Sequence, residues 1–596
     1  MFLKKTTKKV KGKTYINHLL VESVATAKGP RHRHICSLGP LEPAPKEEWL
    51  SLAHKIESAL CGQQSLAPEK SIQAIAEKIH PETVSVLADR VEIMEARQAG
   101  PVHVAHQMWK RLGMDSVLES AGLNKRAQVL AEILVSNRLV SPCSKLGTVS
   151  WVQRTALGDI LRRDLSELNE DALYRNLDKL HPQRETIESE LVKRERQMFS
   201  LEENILLYDL TSTYFEGEGA ANPQATRGYS RDHRPDCKQV VVGLVLDGDG
   251  FPKAHEVFEG RCSDTTTVDE MLSQLEKRTG KKGGATVVMD RGMSSQQNIT
   301  QVLAHHHHYL VAARQSERLA HWQDYLDQQG WEEIVRPVSP VNLAQKKSRV
   351  WVKQCLLNQE AHLLCRSEGR MQKDRAIREL HEKRLIADLQ RLASRVEKGR
   401  LVNPNKIHES IGRIKERYPL VARYYEISFD SSANALLWQE DSDKKEKAKQ
   451  FDGSYLIKTD RIDMTQQEIW KAYLLLTRVE SAFRSLKSPL RLRPIFHQLE
   501  NRVQTHIFIC VLAYHLLVCI EKMFFDRNIH TSWQTIRQCL STHQVATILL
   551  PTANGDTLKI RKSMMPEPAH KEIYKILNIP ENIIQPFKSW TYRDEK

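Results

Sequence analysis

The sequence predicts an α/β protein in which a mixed sheet with helices lies between largely helical segments. Three observations support this prediction. The apolar residues between about 205 and 312 form short runs with strand spacing, separated by helical stretches. The flanking segments show the 3.6-residue spacing of amphipathic helices. A hydrophobic share of 40% over 596 residues is enough for several buried cores.

The composition favours a strongly acidic partner. The chain has 88 Lys and Arg against 74 Asp and Glu, a net charge of +14, and a pI of about 9.1. Such a surplus is typical of proteins that bind DNA, although charge alone also fits other polyanions. The cysteines form no CxxC pair and no Cys/His spacing suited to zinc, so we expect reduced thiols and no structural zinc.

The sequence shows no sign of secretion or membrane insertion. The basic start MFLKKTTKKVKGK is not followed by the apolar core of a signal peptide. The longest apolar stretch, His506 to Ile520, is shorter than the ~20 residues that span a bilayer and contains His515. We therefore expect a buried helix there and a cytoplasmic, nucleoid-associated protein with no membrane partner.

The N-terminal 200 residues are predicted to be a DNA-binding part of the chain. Residues 1–41 combine lysines with alternating segments and indicate a basic hairpin, which is either an arm that touches phosphates or a solvated terminus. Residues 42–200 are predicted to be helical, polar up to Arg97 and amphipathic beyond it.

One helix in this part, NEDALYRNLDKL, has an apolar stripe and a basic outer face. The pattern fits a helix-turn-helix that reads a major groove, and it fits equally a helix bundle with basic residues outside. The stripe consists of Leu173, Leu177 and Leu180, and the outer face of Tyr174, Arg175 and Lys179.

Residues 201–314 follow the order strand, strand, strand, helix, strand, helix, strand. This is the order of a ribonuclease H-like core of the retroviral integrase type. In that topology the first and fourth strands are neighbours. Asp209, at the end of NILLYDL, and Asp290, at the end of ATVVMD, can therefore meet although they are distant in sequence.

The rest of the chain is predicted to interrupt and then complete this core. Residues 315–460 contain strand-like pieces and a long charged helix, which indicate an inserted domain. Residues 461–525 return to the core, and residues 526–596 form a C-terminal region of mixed pattern.

A helix predicted from Lys471 to Lys487 presents an acid, cations and an aromatic ring on one face. At 100° per residue, Tyr473, Glu480, Arg484 and Lys487 fall within a narrow arc. A solvated stripe with an i,i+4 ion pair would explain this pattern for an isolated helix. The strand-end aspartates upstream favour a catalytic interpretation instead.

Asp209, Asp290 and Glu480 are therefore predicted to be both the catalytic residues and the metal ligands. Carboxylates without a histidine or cysteine partner select Mg²⁺ or Mn²⁺ over zinc, because these ions prefer oxygen ligands. We expect two ions, with Asp209 bridging both and each of the other acids holding one, for in-line attack at phosphorus. Taken singly, each aspartate could also be a turn residue or a helix cap.

On these residues the chain resembles the DDE transposases of bacterial insertion sequences. The resemblance is to the superfamily whose core is interrupted by a β-strand insertion before the glutamate. The pattern Y-x2-R-x3-E-x6-K matches at Tyr473, Glu480 and Lys487, with Leu476 in place of the arginine. YDLTST and MDRG match the first two motifs. The resemblance covers about residues 200 to 520, and SLGPL near the N-terminus also resembles one branch of the superfamily.

The resemblance implies that several residues contact DNA beside the acids. Tyr473, Arg484 and Lys487 would touch the phosphates that flank the cut, and Arg291 would reach the same strand. Arg484 is also, like Arg478, a cation that could substitute for the arginine missing from the motif.

Tyr455 corresponds in this resemblance to the aromatic residue that holds a flipped base during hairpin formation. A tyrosine ring could supply the stacking platform that such a base requires. Two alternatives remain open, since a strand aromatic is often a packing residue and Trp438 is a second candidate platform.

The resemblance thus implies a transposase that binds terminal inverted repeats as double-stranded DNA, cuts the ends and joins the 3′ ends to target DNA with Mg²⁺ or Mn²⁺. Pairing two ends requires two protomers, so a homodimer is expected in the synaptic complex. Two alternatives are a metal-dependent nuclease without strand transfer and a DNA-binding protein whose catalytic site is silent.

Overall fold

The computed structural model of this chain describes residues 1–10, 13–26, 29–39, 41, 46–60, 84–263, 266–335 and 348–592. They form two compact units. The first comprises residues 1–107, 149–168 and 534–596, and the second comprises residues 108–148 and 169–533.

The described strands, in chain order, are β1 (Phe2–Val10), β2 (Lys13–Thr26), β3 (Gly29–Gly39), β4 (Glu92–Gln98), β5 (Ile205–Tyr214), β6 (Gln239–Asp247), β7 (Pro252–Glu259), β8 (Thr286–Met289), β9 (His308–Ala312), β10 (Glu332–Val335), β11 (Arg349–Leu357), β12 (Glu360–Ser367), β13 (Tyr425–Asp430), β14 (Ala435–Glu440), β15 (Ser454–Thr459), β16 (Gln544–Pro551), β17 (Thr557–Ser563) and β18 (Phe587–Thr591).

The described α-helices are α1 (Lys46–Leu60), α2 (Gly100–Arg111), α3 (Met114–Ser120), α4 (Lys125–Val140), α5 (Lys145–Arg154), α6 (Leu157–Leu161), α7 (Glu170–Leu180), α8 (Arg184–Phe199), α9 (Val268–Thr279), α10 (Gln296–Ala304), α11 (Gln315–Ala320), α12 (Trp322–Leu326), α13 (Glu368–Glu397), α14 (Pro404–Arg417), α15 (Pro419–Ala422), α16 (Ser442–Gln450), α17 (Gln466–Leu474), α18 (Leu476–Lys487), α19 (Glu500–Phe525), α20 (Trp533–Leu540) and α21 (Pro568–Leu577). Short 3₁₀ helices occupy Ala88–Arg90, His181–Gln183 and Arg291–Met293.

The first unit contains two antiparallel sheets. One has the order β1-β2-β3, so the basic N-terminal segment has a third strand beyond the predicted hairpin. The other has the order β18-β17-β16-β4. The prediction of a helix at Glu92–Gln98 is wrong, because this exposed segment pairs with β16, a partner far along the chain. The predicted helical stretch at residues 61–83 lies outside the described residues.

The second unit is built on a nine-stranded sheet in the order β10-β11-β12-β15-β9-β8-β5-β6-β7. Its part β7-β6-β5-β8-β9 has the strand order of a ribonuclease H-like core. β5 and β8 run parallel, with Tyr208 opposite Met289, and this confirms that the first and fourth core strands are neighbours. β6 and β7 continue antiparallel to β5, and all nine residues of β6 are buried.

The segment predicted to be an insertion contributes to this sheet as well as to a core of its own. β15 pairs antiparallel with β9, with Ile457 opposite Ala312, so β10, β11, β12 and β15 extend the sheet of the core. The long helix α13 instead packs Leu385 and Leu389 against α14, α15 and the β13-β14 hairpin. That residues 315–460 form an inserted domain stays a prediction.

Helices α4, α7 and α19 form a packed helical layer in the second unit. The predicted apolar stripe of α7 is confirmed, since Leu173, Leu177 and Leu180 are fully buried while Arg175 and Lys179 are exposed. α19 is the single described helix that is long and apolar enough to cross a membrane, and 83% of its most apolar window is buried inside the fold. The prediction that this stretch is a buried helix is confirmed.

Candidate active site

Two aspartates come together because two parallel strands end their pairing at the same level. The last paired residues of β5 and β8 are Tyr208 and Met289, so the next residue on each chain is Asp209 and Asp290. Asp209 is half-buried, and its Oδ1 accepts a hydrogen bond from the Leu210 backbone N–H at 2.7 Å. Asp290 is exposed and precedes the 3₁₀ turn Arg291–Met293.

Glu480 is presented by α18, which packs against β5. The helix buries one face through Val479, Ala482, Phe483 and Leu486. Glu480 lies on its exposed side. Helical periodicity therefore fixes the carboxylate toward the solvent-accessible side of the core, where both aspartates lie.

The predicted continuous helix from Lys471 to Lys487 is wrong in one detail, since it is interrupted at Leu475 between α17 and α18. The Leu475 amide is shared between the carbonyls of Lys471 and Ala472 at 3.3 and 3.2 Å, and the Arg478 amide bonds to the Leu475 carbonyl at 2.8 Å. Leu475 keeps right-handed dihedrals, φ −60° and ψ −21°. This tight turn changes the angular relation between Tyr473 and the acid, which periodicity alone cannot anticipate.

The three acids line one cavity of about 590 Å³, together with Tyr229, Arg231, Arg261 and Phe483 among others. Burial, together with the negative charges of Asp290 and Glu480, raises the pKa of Asp209 to about 7, although the Leu210 amide and Arg231 act in the opposite direction. Asp209 therefore lies within the electrostatic field of the other two acids.

The donor set of this cavity fits a hard divalent cation. Among the residues that the structure describes, no three His, Cys, Asp or Glu side chains are gathered closely enough to hold an ion as they stand. The three carboxylates nevertheless face one cavity, and their mutual repulsion is of the kind that a divalent charge relieves. Oxygen-only ligands suit Mg²⁺ or Mn²⁺, and Asp209, Asp290 and Glu480 are the residues of this cavity that would hold such an ion.

Lys487 is held by an acid that sequence reasoning missed. Its Nζ donates to Asp232 Oδ1 at 2.7 Å, and Arg493 pairs with the same oxygen. The Asp232 side chain is only 2% exposed. The pair ties the loop between β5 and β6 to the end of α18. Arg484, by contrast, is exposed on α18.

Tyr473 and Tyr455 lie near each other, with ring centroids 6.4 Å apart. Burial, followed by the nearby charge of Asp290, raises the pKa of Tyr473 to about 12. The Tyr455 hydroxyl accepts a hydrogen bond from Trp470 Nε1 at 2.8 Å, and the Arg370 guanidinium lies 4.8 Å from its ring centroid. Trp438, the alternative platform, packs against the core of α13 and α14.

The two arginines discussed for the acid region have different surroundings. Arg291 lines a shallow cavity of about 640 Å³ with Asp290 and Arg314. Arg478 donates to the Asp249 carbonyl at 2.6 Å and does not line the cavity of the acids. Leu476, at the motif's arginine position, is 7% exposed.

Sequence reasoning missed the basic residues that the β5-β6 loop brings to the site. Arg231 lines the cavity of the acids, and the adjacent Asp232 anchors Lys487. The signal was the concentration of arginines in TRGYSRDHRPD. Because this loop has no periodicity, its spatial position could not be derived from the pattern.

Comparison with known families gives two matches. Residues 200–516, a little more than half of the chain, match the family model described as transposase DDE domain. Residues 3–70 match the model described as IS1634 family transposase, N-terminal domain. No curated protein matches the chain.

Proposed function

The chain belongs to the DDE transposase family, and we propose that it binds the terminal inverted repeats of an insertion sequence, cuts the DNA ends and transfers the 3′ ends to target DNA. The observation that carries this proposal is the common cavity of Asp209, Asp290 and Glu480. Three acids on two parallel strands and one helix supply the oxygen ligands that metal-assisted phosphoryl transfer requires.

Divalent ions bound by the three acids would supply charge stabilisation at the attacking and leaving oxygens. Asp209, on β5 beside β8, would help to hold both ions, and Asp290 and Glu480 would each hold one. Arg231 lines the same cavity and adds positive charge beside a DNA phosphate. The role of the protein chain is then to position the scissile phosphate and to neutralise its charge.

The residues around the cavity are assigned to the DNA strand that is cut. Tyr473, Arg484 and Lys487 contact the flanking phosphates, and Arg291 contacts the same strand beyond Asp290. Support comes from the exposed position of Arg484 and from the open cavity that Arg291 lines. The assignment of Lys487 requires it to exchange Asp232 for a phosphate oxygen, because both are anionic partners for one ammonium group.

Tyr455 is assigned to an extruded base near the cut. Its neighbours Tyr473 and Arg370 provide a second ring and a guanidinium, both of which stack with nucleobases. Its hydrogen bond from Trp470 holds the ring orientation.

Two protomers are required to pair two transposon ends, so the active complex is a homodimer that acts in the cytoplasm on double-stranded DNA. The net charge of +14 favours association with DNA in that compartment.

The test of this function is a strand-transfer assay with pre-cut ends. The purified chain, terminal-repeat duplexes with free 3′-hydroxyls, a supercoiled target plasmid and Mg²⁺ should give covalently joined products. Cleavage of uncut ends without joining of pre-cut ends would instead identify a nuclease. Binding of the ends with neither reaction would identify a silent DNA-binding protein.

Lys487→Ala should weaken binding of a terminal-repeat duplex and lower the slope of log affinity against log salt by about one, because one phosphate contact is lost. Affinity should be measured by fluorescence anisotropy over a salt series. Lys406→Ala, on α14, is the control for the loss of one positive charge, since Lys406 is exposed on a helix outside the core sheet. A slope unchanged from wild type would remove Lys487 from the DNA contacts.

A further inference from the structure

A second large cavity lies in the segment between β9 and α17, on the opposite face of β15 from Tyr455. It has a volume of about 850 Å³. Leu456 packs with Leu364, Phe451 and Tyr325, whereas its neighbour Tyr455 faces Cys365 and Trp470. Successive side chains of a strand point to opposite faces, so this cavity is separate from the base platform assigned above.

The walls of this cavity combine aromatic rings with cations. Trp322 packs on Phe451 with ring centroids 4.6 Å apart and remains half-buried. Arg423, Lys444 and Lys447 are exposed and line the same cavity. Rings flanked by exposed cations match a nucleotide, whose base stacks while its phosphate pairs with the cations.

Two charged residues that line the cavity, Asp452 and Arg318, each have one buried polar atom without a hydrogen-bond partner among the described residues. The Asp452 side chain is 4% exposed, and its Oδ1 pairs with Arg378. Its Oδ2 accepts no hydrogen bond within the described part of the chain, and Arg375 Nε is 3.7 Å away. Arg318 Nε is likewise buried without an acceptor there, while Arg318 Nη1 donates to the Ser454 carbonyl at 2.8 Å. The Arg318 guanidinium also lies over the Phe451 ring, 5.3 Å from its centroid, so buried charge stands beside the rings of this cavity.

Shared lining residues make this cavity a neighbour, through a third cavity, of the cavity of the three acids. The cavity of the acids and the shallow cavity of Arg291 share Asp290 and Gly292. The shallow cavity and the cavity that contains Trp322, called the Trp322 pocket below, share Gln315. The connecting surface carries Arg291 and Arg314. Two cations on this connecting surface are suited to the phosphate backbone of a single DNA strand rather than to an isolated ligand.

We infer that the Trp322 pocket binds one unpaired nucleotide of the DNA strand whose phosphates pass Arg314 and Arg291 to reach the three acids. The inference rests on the proposed function for the identity of that strand. It adds a second nucleotide site, at the far end of the strand path, to the reaction centre.

The experiment measures the affinity of the full-length chain for two labelled DNAs by fluorescence anisotropy in EDTA, so that no cleavage occurs. One DNA is a blunt terminal-repeat duplex, and the other carries a single-stranded extension of several nucleotides. We expect the extension to increase the affinity about tenfold through stacking of its unpaired base. No increase in wild-type affinity would overturn the inference.

Two lysine variants test whether the affinity gained from the single-stranded extension depends on the Trp322 pocket. Lys447→Ala should lower the gain due to the extension and reduce the salt slope by about 0.7, the value for one single-strand phosphate contact. Lys449→Ala is the matched control, because Lys449 is exposed on the same helix, pairs with Glu446 and does not line the pocket. Equal effects of the two variants would overturn the assignment to this pocket.

A photocrosslink tests direct contact between the DNA extension and the Trp322 pocket without any amino-acid substitution. An extension that contains 5-iodouracil should crosslink on irradiation to the peptide that holds Trp322, as identified by mass spectrometry. A crosslink confined to other peptides would overturn the inference.

A fluorescence measurement with a free nucleotide separates two kinds of site. If dGMP quenches tryptophan fluorescence but the single-stranded extension gives no gain in affinity, the pocket is a free-nucleotide site, and the proposed path of the DNA strand is overturned. All of these readouts measure binding, so they stay interpretable if the chain neither cleaves nor joins DNA.

Discussion

Asp209→Asn is expected to reduce cleavage of terminal-repeat DNA by about 10³-fold or more, which corresponds to about 4 kcal/mol of transition-state stabilisation. The reason is that Asp209 lies on β5, next to the strand that ends at Asp290, lines one cavity with Asp290 and Glu480, and is the acid assigned to both ions. An amide preserves the shape of the side chain but removes the charge that holds a divalent ion. The rate should be measured under single-turnover conditions with saturating protein and Mg²⁺.

The same variant should bind the DNA end almost as tightly as wild type, because end binding depends on phosphate contacts made by other residues. Glu218→Gln is the control, since Glu218 is an exposed acid in the connection after the same strand and does not line the cavity. Cleavage by Asp209→Asn within tenfold of the wild-type rate would contradict the assignment of the active site. Loss of binding together with cleavage would indicate a folding defect instead.

Glu188→Ala is expected to lower the free energy of unfolding by about 3 to 5 kcal/mol, the largest stability effect that the structure predicts. Glu188 on α8 is 4% exposed and pairs with His255 on β7 and with Arg278 on α9. Glu256 pairs with both Arg278 and Arg184. Removing the Glu188 carboxylate leaves the buried Arg278 guanidinium with Glu256 as the remaining one of these two acidic partners.

Urea unfolding of the full chain measures this effect. Glu190→Ala is the matched control on the same helix, because Glu190 forms a partly exposed pair with Lys193 that is worth below about 1 kcal/mol. Similar losses for the two variants would show that the buried network does not stabilise the fold.

The pH dependence of Glu188→Ala has a defined sign. Burial alone would raise the pKa of Glu188, but the charges of His255 and Arg278 outweigh it and hold that pKa at about 2, below the ordinary value of 4.5. The stabilisation from this carboxylate is therefore complete above pH 4.5 and is lost as the pH falls toward 2. The difference between wild type and variant should shrink in that window.

The local residue pattern was sufficient to predict a residue's surroundings where these follow from the helix or strand to which the residue belongs. The burial of Leu173, Leu177 and Leu180 followed from helical spacing, and the neighbouring positions of β5 and β8 followed from the order of strands and helices. The interruption at Leu475 did not follow, since one shared hydrogen bond alters a helix without altering its apolar spacing.

Strand partners could not be derived for segments with weak patterns. Glu92–Gln98 reads as a polar helix, yet it is an edge strand because β16 offers it a ladder of hydrogen bonds. In the same way, β15 extends the sheet of the core by pairing with β9, whereas the sequence suggested only that strands occur in the interrupting segment. Strand pairing depends on two segments together, whereas the residue pattern of one segment shows only the preference of that segment.

The sequence by itself determined the family and the order of the core elements, and it selected Asp209, Asp290 and Glu480 as candidates, because residue period, strand ends and motif residues are local features. Only the tertiary structure decided that Asp232 restrains Lys487, that Arg231 enters the cavity of the acids, and that Trp322 and Lys447 line one pocket. These relations join loops and helices that have no common periodicity. Their positions are set by the packing of the whole unit, and packing depends on all segments together.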